Sequence, residues 1–139
     1  MGTEQRILFA NESFYQAFSA GNFEAMEGLW STGQPLVCIH PGHQPLVIRD
    51  EIMTSWKAIL ELGATQGISC FEPRVSLYGS VALVVCYEIL GENQLIATNG
   101  FVEEEGIWAM IVAPSTIPRI ASLTSSRLAL GTVSTTERS

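Results

Sequence analysis

A chain of 139 residues that is 47% apolar and only 15% charged predicts one small domain with one core, and more apolar surface than an ordinary soluble domain shows. The 7 basic and 14 acidic residues leave a net charge of −7, and Lys57 is the one lysine, which excludes the basic stripe that nucleic-acid binding needs. The longest apolar run, Val81–Tyr87, is far too short for a membrane span, and the opening residues hold no apolar segment of the kind a secretory leader needs.

The first third of the chain reads as helical. Ile7, Ala10, Phe14, Ala17 and Phe18 recur at helical spacing, and Gly21 ends the run. Asn22 then caps a short second helix, Phe23 to Trp30, with Glu24 in its first turn and Gly33 and Pro35 beyond it. Leu36–His40 reads as a strand, Pro41–Pro45 as a turn and Leu46–Ile48 as a returning strand. Asp50 is the predicted N-cap of a third helix whose apolar stripe is Ile52, Trp56, Ile59 and Leu60, closed by Gly63 and Gly67. Four strands follow: Ser69–Leu77, Val81–Leu90, Leu95–Val102 and Ile107–Ala113. The domain is expected over residues 5–117, with a Ser/Thr-rich tail, mobile by composition, over 118–139.

The strands are apolar on both faces. Val81, Leu83, Val85, Tyr87 and Ile89 line one face of their strand, while Ala82, Val84, Cys86 and Glu88 line the other. A sheet with one wet face should alternate apolar and polar residues. Three short helices can cover only one face, so the other is expected to pack on a second copy of the chain in a symmetric homodimer. Cys38, Cys70 and Cys86 are widely spaced and odd in number, which points to reduced thiols in a cytoplasmic protein rather than disulfides or a zinc site. The sequon Asn11-Glu12-Ser13 falls within a helical pattern and is read as chance.

Helix, short helix, hairpin, helix and strand meander is the element order of one superfamily, and local strings fit it. Phe14-Tyr15-Gln16-Ala17-Phe18-Ser19-Ala20-Gly21-Asn22-Phe23-Glu24-Ala25-Met26 resembles the opening of its SnoaL-like members. Leu29-Trp30, His40-Pro41, Ile52 with Trp56, Thr98-Asn99 with Phe101, Gly106-Ile107-Trp108 and Pro114-Ser115 follow in matching order. Over about residues 5 to 116 the chain is similar to the nuclear-transport-factor-2-like superfamily. The resemblance implies an α+β cone-shaped half-barrel, a curved antiparallel sheet wrapped around three N-terminal helices. It departs from the family pattern at Ile48, where Gly is usual before the third helix. It also lacks histidines after Trp108, so chemistry that such histidines support elsewhere does not carry over.

The superfamily includes isomerases, cyclases, dehydratases and epoxide hydrolases that set polar groups in an apolar cone. The single aspartate, Asp50, is occupied as a helix cap, so a paired-aspartate mechanism is excluded by counting. Most glutamates fall on polar helix faces or at the Glu103–Glu105 hairpin tip. Glu88 instead shares a strand face with Ala82, Val84 and Cys86: it is either a carboxyl whose pKa desolvation raises, or an edge residue paired with Arg74. His40 either meets a ligand at the cone mouth or bonds a carbonyl where its strand turns. Asn99, in an apolar strand, either ties a neighbour or orients a ligand. Tyr15, Trp30 and Trp56 supply large walls, as core or as ligand box.

No Ser-His-Asp grouping, phosphate loop, dinucleotide fingerprint or metal-ligand spacing occurs, so no cofactor and no metal is expected. The leading expectation is a small-molecule-binding domain with an apolar cone pocket for a neutral or anionic ligand. There Tyr15, Trp30, Trp56 and Glu88 line the pocket, with His40 and Asn99 as the convergent polar groups. The alternatives are an isomerase, cyclase or dehydratase with His40 as base and Asn99 as donor, and a dimerisation or adaptor module.

Overall fold

A computed structural model describes residues 1–40, 43–62 and 68–114. The glycines expected to close the third helix and the tail expected from residue 118 lie outside the described residues, as does the start of the Pro41–Pro45 turn. Three helices, α1 (Thr3–Ala20), α2 (Phe23–Leu29) and α3 (Arg49–Glu61), cover one face of five strands. The strands are β1 (Val37–Ile39), β2 (Ser69–Tyr78), β3 (Val81–Leu90), β4 (Asn93–Glu104) and β5 (Ile107–Pro114). Their order is β1-β5-β4-β3-β2, and the sheet is open, with β1 and β2 at its edges. The architecture is α+β, as expected, but the sheet is mixed: β1 runs parallel to β5, and only the other three pairings are antiparallel. No described helix is long and apolar enough to cross a membrane.

Local chemistry sets the helix ends. Gly21 takes the left-handed conformation (φ 64°) that terminates α1 without Cβ strain, and its N–H bonds back to α1 carbonyls. Asn22 caps α2, its side chain accepting from the Ala25 N–H at 3.0 Å.

Two sequence expectations need correction here. The helix α3 starts two residues early, at Arg49, so Ile48 is the N-cap and Asp50 lies in the first turn with an exposed side chain. The physical reason is Arg49. Its guanidinium donates to the carbonyls of Ser31 (2.8 Å), Trp30 (3.2 Å) and Glu27 (3.2 Å), pinning the start of α3 to the end of α2. The second correction concerns the returning strand at Leu46–Ile48, which shrinks to a single bridge. There Cys38 and Leu46 exchange N–H···O bonds of 2.9 and 2.8 Å, and Ile48 already belongs to the helix start.

The core lies between the helices and the inner face of the sheet. Phe14, Phe18 and Trp56 meet edge to face, with ring centroids 5.3–6.1 Å apart. On the outer face Phe71, Val85, Tyr87 and Ile96 stay exposed. The ladder β2–β3 slips between Phe71 and Arg74, where Glu72 takes φ 53°. Such a bulge bends a strand and sets two of its residues, here Glu72 and Pro73, opposite one on the neighbour, Cys86.

Candidate functional site

The strand β3 alternates cleanly. Ala82, Val84, Cys86 and Glu88 are buried against the helices, while Val85 and Tyr87 face outward. The register then fixes their neighbours. Asn99 on β4 lies opposite Val84, and Cys70 on β2 lies opposite Glu88, all on the inner face. Helix α1 lays Asn11 and Tyr15, one turn apart, over this row. The result is a buried polar network built from four elements within an otherwise apolar core.

Its centre is Tyr15, which is 2% exposed. The phenol donates to Glu88 Oε2, and its oxygen accepts from Asn99 Nδ2 at 3.0 Å; the Cys86 sulfur lies 3.4 Å away. Asn99 gives its other amide hydrogen to Asn11 Oδ1 at 2.9 Å, and Asn11 Nδ2 donates to Cys70 Sγ at 3.4 Å. Both N–H groups of Asn99 are therefore engaged, and its Oδ1 is a buried acceptor without a donor among the described residues. Asn99 is thus free to act as an acceptor rather than as the donor that the sequence suggested.

The electrostatics follow from burial. Glu88 is 1% exposed, and desolvation pushes its carboxyl up to about 7, against the smaller opposing effect of the Tyr15 hydrogen bond. Tyr15 is pushed well above the usual phenol range, first by burial and then by the Glu88 charge, so it stays a donor. The alternative pairing of Glu88 with Arg74 does not occur. Arg74 is exposed and sits opposite Val85, on the outer face of the sheet. Alternation separates the two: Arg74 stands opposite Val85, three residues from Glu88 along β3, and an odd number of steps puts it on the other face.

His40 is buried in a second group. Its Nε2 lies 3.0 Å from Ser55 Oγ and 3.7 Å from Cys38 Sγ, and its ring meets Trp56 at 5.8 Å. Ser55 gives its hydroxyl hydrogen to the Ile52 carbonyl at 2.7 Å, so Nε2–H donates to Ser55, and Nδ1 is left without a partner. Burial, then the nearby His43, lowers the pKa of His40, which keeps it neutral. The two groups are linked by a run of aromatic rings, from His40 to Trp56 to Phe14 to Tyr15. Trp30 stands apart on the β5 side, where its backbone bridges Met110. The sequence-derived site thus divides: Tyr15, Glu88 and Asn99 come together, while His40 and Trp56 form a neighbouring group and Trp30 a third.

The sequence reading missed Asn11, Cys70 and Cys86 as members of the network, and Ser55 as the partner of His40. Asn11 carried a signal, because it sits on the apolar stripe of α1 between Ile7 and Phe14. One cleft of about 460 Å³ runs along α3 past Asp50, Thr54 and Ser55, and a cavity of about 150 Å³ on the outer side of the sheet is bordered by Cys86. Among the described residues no group of three His, Cys, Asp or Glu side chains is arranged to hold a metal ion.

Comparison with known proteins bears on this geometry. The family model for the SnoaL-like domain matches residues 7–117. Among solved structures, the chain is similar to a proposed dehydratase of the nuclear-transport-factor-2-like family from Streptomyces avermitilis, with TM-score 0.68 and 28% identity over 79% of this chain and 91% of that one. It is also similar to a proposed calcium/calmodulin-dependent protein kinase type II association domain from Thiobacillus denitrificans (TM-score 0.66, 22% identity, 76% and 90% covered). A third is a proposed ketosteroid isomerase from Parabacteroides distasonis (TM-score 0.60, 14% identity, 78% and 82% covered). The last two likenesses speak to the fold alone. No curated protein matches the chain.

Proposed function

The chain belongs to the SnoaL-like domain family, and from that premise we propose that its cone binds a small, mostly apolar hydroxy-carbonyl compound and moves a proton on it, as an isomerase or dehydratase does. One observation carries this reading: Glu88 is a buried carboxyl held by a phenol, with no cation beside it. Among the described residues the one ion pair is Lys57–Glu61, on the exposed side of α3. A structural carboxylate in a core is normally paired with a cation. One whose pKa stands near 7 can both take and give a proton at neutral pH.

In the dehydration that follows from this reading, ionised Glu88 takes the proton from the carbon next to the carbonyl. The hydroxyl on the next carbon takes that proton back from Glu88 and leaves as water, the carbon–carbon double bond forms, and Glu88 is again ionised. Asn99 Oδ1, an acceptor in want of a donor, suits a substrate hydroxyl. Tyr15 keeps the carboxyl oriented, and Asn11 keeps Asn99 oriented. The Streptomyces avermitilis protein, 28% identical, carries the same reaction class in its description.

A second reading, a dimerisation or adaptor module, is supported by the filling of the cone with Phe14, Phe18 and Trp56, each under 2% exposed. A thermal-shift screen of small hydroxy-carbonyl compounds separates the two readings. It would be run on the wild type, Glu88→Gln and Asn99→Ala, with proton exchange in heavy water followed by NMR. Hits that bind the wild type and Glu88→Gln but exchange only on the wild type support the enzyme. Hits that bind all three proteins equally and exchange on none would overturn it and leave the adaptor.

A further inference from the structure

The thiols of Cys70 and Cys86 have no part in that reaction, yet they are not placed like inert core cysteines. Cys70 lies opposite Glu88 in the β2–β3 ladder, and Cys86 lies two residues before Glu88 on the same face. The two side chains are therefore diagonal neighbours on adjacent strands, close enough that each thiol shifts the proton affinity of the other. Each is also held by α1: Cys70 Sγ accepts from Asn11 Nδ2, and Cys86 Sγ lies against Tyr15 Oη, both at 3.4 Å. Cys86 is 2% exposed, and it also borders the far side of the sheet. It forms a wall of a cavity of about 150 Å³ whose other walls are the outer-face residues Glu72, Arg74, Val85, Tyr87 and Ile96. The ladder is irregular at this point: between the pairs Phe71–Tyr87 and Arg74–Val85, two β2 residues, Glu72 and Pro73, stand opposite the single residue Cys86.

We propose that Cys70 and Cys86 are a thiol–disulfide exchange pair, entered through the cavity at the β2 bulge and reacting with small organic disulfides. Cys86 is the attacking sulfur and Cys70 the resolving one. The thiolate of Cys86 attacks one sulfur of R–S–S–R, that bond breaks, and RS⁻ leaves. Cys70 then attacks the Cys86 sulfur of the mixed disulfide and expels the second RS⁻. The two protein thiols are oxidised to one disulfide, the small disulfide is reduced to two thiols, and the protein's two protons end on those thiols.

The division of roles follows from the surroundings. Hydrogen bonds, that of Cys70 first and then that of Tyr15, lower Cys86 to about 7, while Cys70 is pushed up and keeps its proton in the pair. A bond between them needs their Cα atoms within about 7 Å, and the bulge beginning one residue after Cys70 gives β2 the freedom to close that distance. Cys38 is an internal control: it is fully buried on β1, and burial pushes its thiol up to about 12. This proposal does not depend on the acid–base reading of Glu88.

The test uses the full chain and bis(2-hydroxyethyl) disulfide, a small neutral probe, at neutral pH. The expected product is a wild-type protein lighter by two hydrogen atoms, with a Cys70–Cys86 cross-linked peptide in the digest and Cys38 still alkylatable. The expected reaction at Cys86 is at least about tenfold faster than at Cys38. In Cys70→Ser the hydroxyethyl adduct on Cys86 should persist, because nothing resolves it. Three free thiols after the reaction, a stable adduct on the wild type, or a cross-link that involves Cys38 would each overturn the proposal. The peptide map is made on the wild type, so poor folding of a variant does not decide it.

Discussion

Tyr15 on α1 donates its phenolic hydrogen to Glu88 on β3, and each of the two side chains is at most 2% exposed. That contact joins the first helix to β3, the strand between β4 and the edge strand β2, through a carboxyl that has left water. It also fixes how the protein should respond to pH. The folded-state pKa of Glu88, about 7, stands above its ordinary value of 4.5, so the folded protein holds a proton that the unfolded chain gives up. The contribution of Glu88 to stability is therefore full below about 4.5 and lost as the pH rises toward 7. His40 acts the other way, because its lowered pKa makes acid destabilising below its ordinary value of 6.5. Melting curves of the wild type and Glu88→Gln over this range isolate the first effect. The gap between them should shift in favour of the variant by several degrees from acid to neutral pH, and a constant gap would contradict it.

Tyr15→Phe removes the donor to Glu88 and the acceptor of one Asn99 N–H at once. Urea denaturation should show a loss of about 1–3 kcal/mol, the cost of buried polar groups left without partners. Because the Tyr15 hydrogen bond holds the Glu88 pKa down, the variant should also titrate Glu88 at a higher pH than the wild type.

Arg49 and Asp50 are adjacent but should differ sharply. Arg49→Ala breaks three bonds to the carbonyls at the end of α2 and should cost about 1–3 kcal/mol in the same denaturation. Asp50→Ala removes an exposed side chain from the first turn of α3 and should stay within about 0.5 kcal/mol. Equal losses would restore Asp50 to the capping role that the helix start denies it.

Much of this was legible in the sequence where a periodic pattern stood alone. Val81–Leu90 was delimited correctly, and its alternation put Glu88 on one face with Ala82, Val84 and Cys86, while leaving open whether that face was buried or Glu88 paired with Arg74. Asn22 and Gly21 were readable because a cap needs only local chemistry. Partners were less legible. Alternation gives a face and not a register, so Arg74 looked available to Glu88, while Tyr15, 73 residues away in sequence, did not. Asp50 resembled a cap because it precedes the apolar stripe; the contacts that move the helix start back to Arg49 come from a different helix. The parallel pairing of β1 with β5 is a long-range choice that no local signal announces.

The open sheet face predicts association. Leu83 is half-buried on that face opposite Gly100 and is not among the residues that line the cavity at the bulge. Light scattering at micromolar concentration should give twice the chain mass, with a buried area above about 1,000 Å². Leu83→Arg should return a folded monomer. A wild-type monomer would contradict the pairing of two outer faces.

The central claim is that Glu88 carries a proton near neutral pH. Its most direct test is an NMR titration of the protein with carboxyl-labelled glutamate, the Glu88 signal being assigned by its loss in Glu88→Gln. The account predicts one carboxyl that titrates near 7, apart from the exposed glutamates. A Glu88 signal that titrates near the ordinary 4.5 would contradict it and remove the acid–base group on which the proposed activity rests.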